Sequence, residues 1–216
     1  MKIGILGTGM VGIALGTKLV QLGNQVMMGS RTVDNKAATE WAAESGSGAS
    51  HGTFEDAAKF GEMILLCTNG QATLDALRMA GHDNLNGKTV IDTTNPLDFS
   101  GGTLKLTVCN TDSLGEQIQR EVPGANFVKT LNTAGSTLMI DPKQIGEEIT
   151  MFVCGNSDKA KGDAIEMLRN FGWTDIIDLG DISAARGMEM AVPLWMRIFT
   201  KWGTGTTFAL KVARKK

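Results

Sequence analysis

The sequence predicts an α/β fold organised on a doubly wound, mostly parallel sheet, and three observations carry that expectation. Short apolar runs alternate with segments of helical periodicity along most of the chain, the pattern of strands buried between two layers of helices. The stretch Glu62-Met63-Ile64-Leu65-Leu66-Cys67-Thr68 is nearly continuous in apolar character, as a parallel strand covered on both faces must be. Directly after the first apolar run, glycines recur at the spacing of a tight strand-to-helix turn.

That first run covers residues 2–6, and Gly7-Thr8-Gly9-Met10-Val11-Gly12 comes directly after it. Residues 13–20 continue with helical periodicity, which gives the strand, turn and helix that the Rossmann dinucleotide fingerprint requires. Gly7 permits the sharp turn, Gly9 lets the backbone approach a pyrophosphate, and Gly12 lets the helix pack close to the strand. The unpaired N–H groups of the helix's first turn then face the phosphates. Gly23-Asn24 turns the chain into a second strand, Gln25-Val26-Met27-Met28-Gly29.

The residues at the end of that second strand select the cofactor. NAD-selective folds place an acid there, about twenty residues past the glycines, to accept from the ribose 2′-OH. This chain reads Gly29-Ser30-Arg31-Thr32, with no acid before Asp34. Arg31 can grip a 2′-phosphate bidentately, with Ser30 donating beside it. NADP(H) is therefore expected over NAD(H). Lys36 either adds a second charge or is a solvated helix residue.

Residues 34–45 have helical composition, and Ala49-Ser50-His51 reads as a short third strand. Thr53 caps a brief helix, with Asp56 at the capping-box position. The apolar run 62–68 is the fourth strand, succeeded by a helix ending near Gly81. Residues 88–96 form a fifth strand with its exit loop, a helix spans 113–121, and residues 126–133 form a sixth strand. An added β-α-β unit (149–154, 157–171, 174–179) extends the same sheet. From Ile182 the reading changes to helix, with Met188, Ala191, Val192, Trp195, Ile198, Phe199 and Trp202 at helical spacing. The expected organisation is a Rossmann domain over 1–181 and a helical appendage of the same domain over 182–216. Only about thirty-five residues remain after Leu179, too few for the large helical catalytic domain of many Rossmann dehydrogenases.

A formal net charge of −2 and a pI of 5.7 give no reason to expect nucleic acid or an anionic membrane as partner. The basic tail Lys211, Arg214, Lys215, Lys216 reads as a solvated helix end. Cys67, Cys109 and Cys154 lie far apart, without metal-ligand spacing or an even-numbered disulfide framework. No apolar run is long enough to span a bilayer. The glycine-rich amino terminus lacks a small-residue cleavage site, so a cytoplasmic protein is expected. Met188, Met190, Leu194, Trp195, Met196, Ile198, Phe199 and Trp202 give the last helices more apolar surface than one face can hide. A two-fold homodimer through those helices is expected.

Ligands of open parallel sheets bind at the carboxyl ends of the strands. That places Cys67, Thr68 and Asn69, then Thr94, Asn95 and Pro96, then Asn132, Thr133 and Ala134 around the nicotinamide half of the cofactor. Their amides and hydroxyls suit hydrogen bonding to a carboxamide or a substrate, though the same groups cap helices and shape turns. Cys67 also suits the role of a small buried hydrophobe. Neither His51 nor His82 ends a central strand, and no acid/base dyad stands out, so no catalytic residue is assigned. Hydride transfer between two cofactors needs alignment and exclusion of water more than proton chemistry.

The series Gly7-Thr8-Gly9-Met10-Val11-Gly12, Gly29-Ser30-Arg31, Val128-Lys129-Thr130-Leu131-Asn132 and Arg186-Gly187-Met188-Glu189 through Pro193-Leu194 resembles the coenzyme F420 (deazaflavin)-dependent NADP oxidoreductases. The similarity runs from residue 1 to about 210. It implies hydride exchange between NADPH and the deazaflavin as co-substrate, by a single-domain subunit that pairs into dimers. By position, Thr8, Met10, Val11 and the glycines would hold pyrophosphate, and Ser30 and Arg31 the 2′-phosphate. The loops after the fourth and fifth strands carry one proline where archaeal members carry more. The same module resembles the NADPH-binding domain of membrane ferric reductases. Reduction of a flavin or ferric chelate is thus an alternative, as is a non-catalytic NADPH-binding redox sensor.

Overall fold

The structure, a computed structural model, describes residues 1–203 and 206–215. Thr204, Gly205 and Lys216, the last lysine of the basic tail, lie outside the described residues. Eight strands form one sheet in the order β3 (Ala49–Thr53), β2 (Gln25–Ser30), β1 (Lys2–Leu6), β4 (Met63–Leu66), β5 (Thr89–Asp92), β8 (Asn126–Thr130), β9 (Thr150–Gly155) and β10 (Asp175–Asp178). The first six are mutually parallel. The strand order reverses beside β1, where α/β sheets open a crevice at the strands' carboxyl ends.

Side chains alternate between the two faces of the sheet with the period of a strand. Ile3, Ile5, Leu65, Ile91 and Val128 pack beneath α1 (Met10–Gln21), α2 (Lys36–Glu44), α7 (Ser136–Ile140) and α8 (Asp158–Phe171). Leu6, Ile64, Leu66, Val90 and Phe127 pack beneath α3 (Phe54–Phe60), α4 (Thr73–Ala80), α5 (His82–Leu85) and α6 (Leu114–Glu121). Both layers are capped as their sequences suggest. Asn35, Thr53, Ser113 and Ser157 accept from first-turn N–H groups, and Thr53 and Asp56 close a full capping box.

The added β-α-β unit joins the sheet as expected, but in the opposite direction. β9 and β10 are parallel to each other, whereas β9 runs antiparallel to β8, with Thr130 opposite Val153. The reason is the connection. Between β8 and β9 the chain forms only the five-residue α7 and a single 3-10 turn, Pro142–Ile145. A five-residue helix rises about 7 Å, too little to carry the chain back along the sheet as a parallel crossover demands. A second feature without a local signal is the hairpin β6 (Leu97–Asp98) and β7 (Lys105–Leu106), which stands apart from the main sheet.

After β10 the chain forms α9 (Ala185–Met190) and α10 (Val192–Trp202), where Trp195 stacks on Phe199 and on Phe208. The basic tail is not a helix end. α10 stops at Gly203, and the chain crosses the start of β9, where Thr150 N donates to Leu210 O at 3.0 Å. Lys211 lies 3.5 Å from Glu147, and Arg214 pairs with Asp175. Among the described residues, no helix is long and apolar enough to cross a membrane.

Candidate active site at the carboxyl ends of the central strands

The glycine turn is held from both sides. Gly7 N donates to Gly29 O at 3.1 Å and Cys67 N to Leu6 O at 2.8 Å. Gly7 has φ +128°, and a Cβ there would lie 2.5 Å from Cys67 O. A Cβ on Gly12 would lie 2.3 Å from Gly7 O, so these two glycines are demanded by the fold itself. Gly9 differs: its φ and ψ of −81° and −179° suit any residue, and a Cβ there would meet nothing within 4 Å. Beyond it the first N–H groups of α1 are open, and no acidic residue stands in that first turn. An empty cradle fronting a helix N-terminus fits a pyrophosphate.

A cleft of about 360 Å³ lies in front of this turn. It gathers Gly7, Thr8 and Gly9 from the first turn, Ser30 and Arg31 from the end of β2, and Cys67, Thr68 and Asn69 from the end of β4. Arg31 is exposed, and among the described residues no carboxylate pairs with it. The Ser30 hydroxyl donates to Thr32 O and so shapes the same turn. Thr68 Oγ1 lies 2.9 Å from Thr73 Oγ1, and Asn69 accepts from Gln71 N at 3.0 Å. Burial pushes the Cys67 thiol up to about 12, so no thiolate is present at neutral pH.

Other expected residues lie outside that cleft. Met10 stands exposed on the first turn, while Val11 and Gly12 face the core. Lys36 extends along α2, with Nζ 3.7 Å from Glu40. Asn95, Pro96, Asn132, Thr133 and Ala134 form a second group at the ends of β5 and β8. The two groups are in contact, because Gly70 sits so close to Asn95 O that a Cβ would come within 2.0 Å. Asn35 and one face of α4, made by Asp75, Ala76 and Met79, also line the cleft. Their positions relative to Ala72 (i+3, i+4, i+7) match helical periodicity, a signal present in the sequence.

In the second group, Asn95 Nδ2 donates to Asn132 O and Asn132 Nδ2 to Asn95 Oδ1, both at 2.9 Å. Asn132 Nδ2 also reaches Met188 O at 3.2 Å, while its Oδ1 is buried without a partner among the described residues. An unpaired buried amide oxygen is uncommon in a folded chain, and this one stands at the end of a central strand. The residue before it, Leu131, is fully buried at φ +63°, a conformation costly for a bulky side chain. This turn redirects the chain so that Asn132 meets Asn95 instead of continuing the strand.

Beneath these amides lies an ionic node for which the sequence gives no local signal. Lys129 Nζ stands 2.6 Å from Asp92 Oδ2 and 3.1 Å from Glu189 Oε1, and donates to Thr94 O at 2.7 Å. All three charged side chains are essentially inaccessible. Asp92 Oδ1 accepts from Thr94 N and Oγ1, and Glu189 accepts from Leu114 N and Gly115 N at 2.9 Å each. Burial alone would depress the Lys129 ammonium, but the two carboxylates overcome it and hold it above its ordinary value. Burial pushes the Glu189 carboxyl up, partly offset by Lys129 and the two N–H groups. The node thus fixes the Thr94 backbone and ties α9 to the tip of α6.

Known proteins resemble this chain along most of its length. The profile of the family described as NADP oxidoreductase, coenzyme F420-dependent, matches residues 2–96. A crystal structure from Arthrobacter sp. FB24, provisionally named an F420-dependent NADP-reductase, superposes with a TM-score of 0.94 at 42% identity, covering 99% of this chain and 100% of that one. The F420-dependent NADP reductase of Methanocaldococcus jannaschii is 28% identical over 95% of this chain and 96% of its own length. Metalloreductase STEAP3 of Rattus norvegicus is 29% identical over 97% of this chain. The chain spans only 39% of the length of that metalloreductase. With the glycine cradle, the arginine after β2 and near full-length similarity at 42% identity all in agreement, the chain belongs to the coenzyme F420-dependent NADP oxidoreductase family.

Proposed function

We propose that this protein transfers hydride between NADP(H) and a deazaflavin or similar planar acceptor, as a cytoplasmic homodimer. The observation that carries the cofactor half is the open cradle at Gly9 beside Arg31 at the end of β2, which no carboxylate pairs among the described residues. When bound, NADPH supplies the hydride. The chain's own part is alignment. The first-turn N–H groups and Thr8 hold pyrophosphate, Arg31 holds the 2′-phosphate, and the Asn95–Asn132 pair shapes the strand ends where the nicotinamide half and the second substrate meet. Neutral amides and hydroxyls, not a proton donor, stand at the strand ends, which suits a reaction that moves a hydride between two rings.

A charge-assisted bond to a phosphate contributes roughly 1.5–3 kcal/mol, about ten- to a hundredfold in affinity. Arg31→Ala is expected to weaken NADPH by that factor while leaving NADH nearly unchanged, read by titrating the quenching of tryptophan fluorescence. Equal losses for both cofactors would overturn the assignment of Arg31. Stopped-flow mixing of NADPH-loaded protein with oxidised deazaflavin tests the acceptor. Rapid loss of its visible absorbance is expected. Similarity to a metalloreductase makes ferric chelate the second acceptor to try, and its fast reduction with no deazaflavin reduction would select that reading instead.

The dimer is supported by Leu194 and Trp202, which stand 61% and 58% exposed on α10, and by Met190, 40% exposed on α9. An apolar helix face of this kind is an interface when a second copy covers it. Sedimentation at micromolar concentration is expected to give about twice 23.0 kDa, reverting toward the monomer in Leu194→Glu. A monomeric wild type would remove the dimer.

A further inference from the structure

We infer that the buried Asp92–Lys129–Glu189 node carries a net charge of minus one and uses it to favour the oxidised, positively charged nicotinamide, biasing the bound cofactor toward hydride donation. The inference rests on the reading that the ends of β5 and β8 face the nicotinamide.

The groups that meet in the node set the charge count. Glu189 accepts from Leu114 N on Oε2 and from Gly115 N on Oε1, with Lys129 Nζ 3.1 Å from Oε1. Asp92 Oδ1 accepts from Thr94 N and Oγ1, and its Oδ2 lies 2.6 Å from Lys129 Nζ. Donation by backbone N–H groups to each carboxylate and by the Thr94 hydroxyl to Asp92 favours the ionised acids, so the node counts two carboxylates against a single ammonium. Lys129 Nζ donates to Thr94 O and lies within 3.1 Å of both carboxylates. One negative charge is therefore left uncompensated, in a place from which water is excluded.

Its position gives that charge an object. Thr94, bonded to both Asp92 and Lys129, directly precedes Asn95, whose amide pairs with Asn132 at the open strand ends. When NADPH gives up a hydride, two electrons and the proton they bind leave the ring together. The ring, formerly neutral, gains a positive charge, while the acceptor takes the hydride. A fixed negative charge nearby stabilises that product relative to the reduced cofactor. At an effective dielectric of about 20, a unit charge about 10 Å away shifts such an equilibrium roughly tenfold. A structural brace alone would affect both redox forms equally, because they share every other group.

The test compares Glu189→Gln with Asp92→Asn, each of which removes one negative charge from a different element of the node. The dissociation constants of NADPH and NADP⁺ are measured separately by calorimetry, with no acceptor present. In both variants the ratio Kd(NADP⁺)/Kd(NADPH) is expected to rise about tenfold over wild type. In Glu121→Gln, where the lost charge belongs to an exposed pair with Arg78, the ratio is expected to stay put. An unchanged ratio in the node variants, even with both affinities weakened, overturns the inference and leaves the functional reading standing. A wild type that binds neither nucleotide overturns the functional reading itself. If circular dichroism finds neither node variant folded, the node's charge serves the fold and the inference falls.

Discussion

Replacing Lys129 by Met is expected to cost about 3–5 kcal/mol of stability at neutral pH, the largest effect of any single side chain outside the hydrophobic core. The reason is not the worth of the ion pairs, since burying three charges carries a desolvation penalty comparable to their attraction. Removing the cation alone leaves Asp92 and Glu189 facing each other in a dry interior, with Thr94 O unpaired as well. For a chain of this length the loss corresponds to roughly 6–20 °C in Tm. The pH dependence has a definite sign. Glu189 already has its carboxyl raised above 4.5 by burial, so the folded state binds a proton more readily than the unfolded one. Its contribution therefore turns unfavourable as pH rises through the window above 4.5. Without Lys129 that window widens upward, and the deficit of Lys129→Met should be greatest at neutral pH and shrink on acidification. Urea denaturation of both proteins at pH 7.5 and pH 5 measures it. A deficit below about 1 kcal/mol, within the range of an exposed pair, would show that the node is not a closed ionic cluster.

Gly9→Val should abolish measurable cofactor binding, by about a hundredfold or more, while leaving the fold intact. The three glycines of the turn separate cleanly on steric grounds. Gly7 needs its positive φ, and Gly12 needs the absence of a Cβ against Gly7 O, so substitutions there disturb the turn before any ligand arrives. Gly9 has an ordinary extended conformation and open space on its Cβ side. A side chain at that position disturbs nothing in the free protein and projects into the room a pyrophosphate would take. The expected result is an unchanged urea midpoint together with loss of NADPH-dependent fluorescence quenching. NADPH affinity kept within tenfold of wild type would mean that the cradle at Gly9 is not where the phosphates lie.

The sequence by itself determined what neighbouring residues can encode. Strand, turn and helix at residues 2–20, the missing acid after β2, the Thr53–Asp56 capping box and the buried run of β4 all depend on sterics and periodicity within a few positions. So did the placement of Thr68, Asn95 and Asn132 at strand ends, which is fixed once the strands are parallel. The tertiary structure decided what depends on separation in the chain. The reversal of β9 arises because α7 is too short to carry a crossover. The left-handed Leu131 has no glycine to announce it. The node joins residues 92, 129 and 189 because β5 and β8 lie side by side in one register and α9 folds back over α6. A lysine inside an apolar strand and a glutamate on a helix are each ordinary in sequence. Only packing removes both from water, and only their meeting, with Asp92, makes the burial of each tolerable.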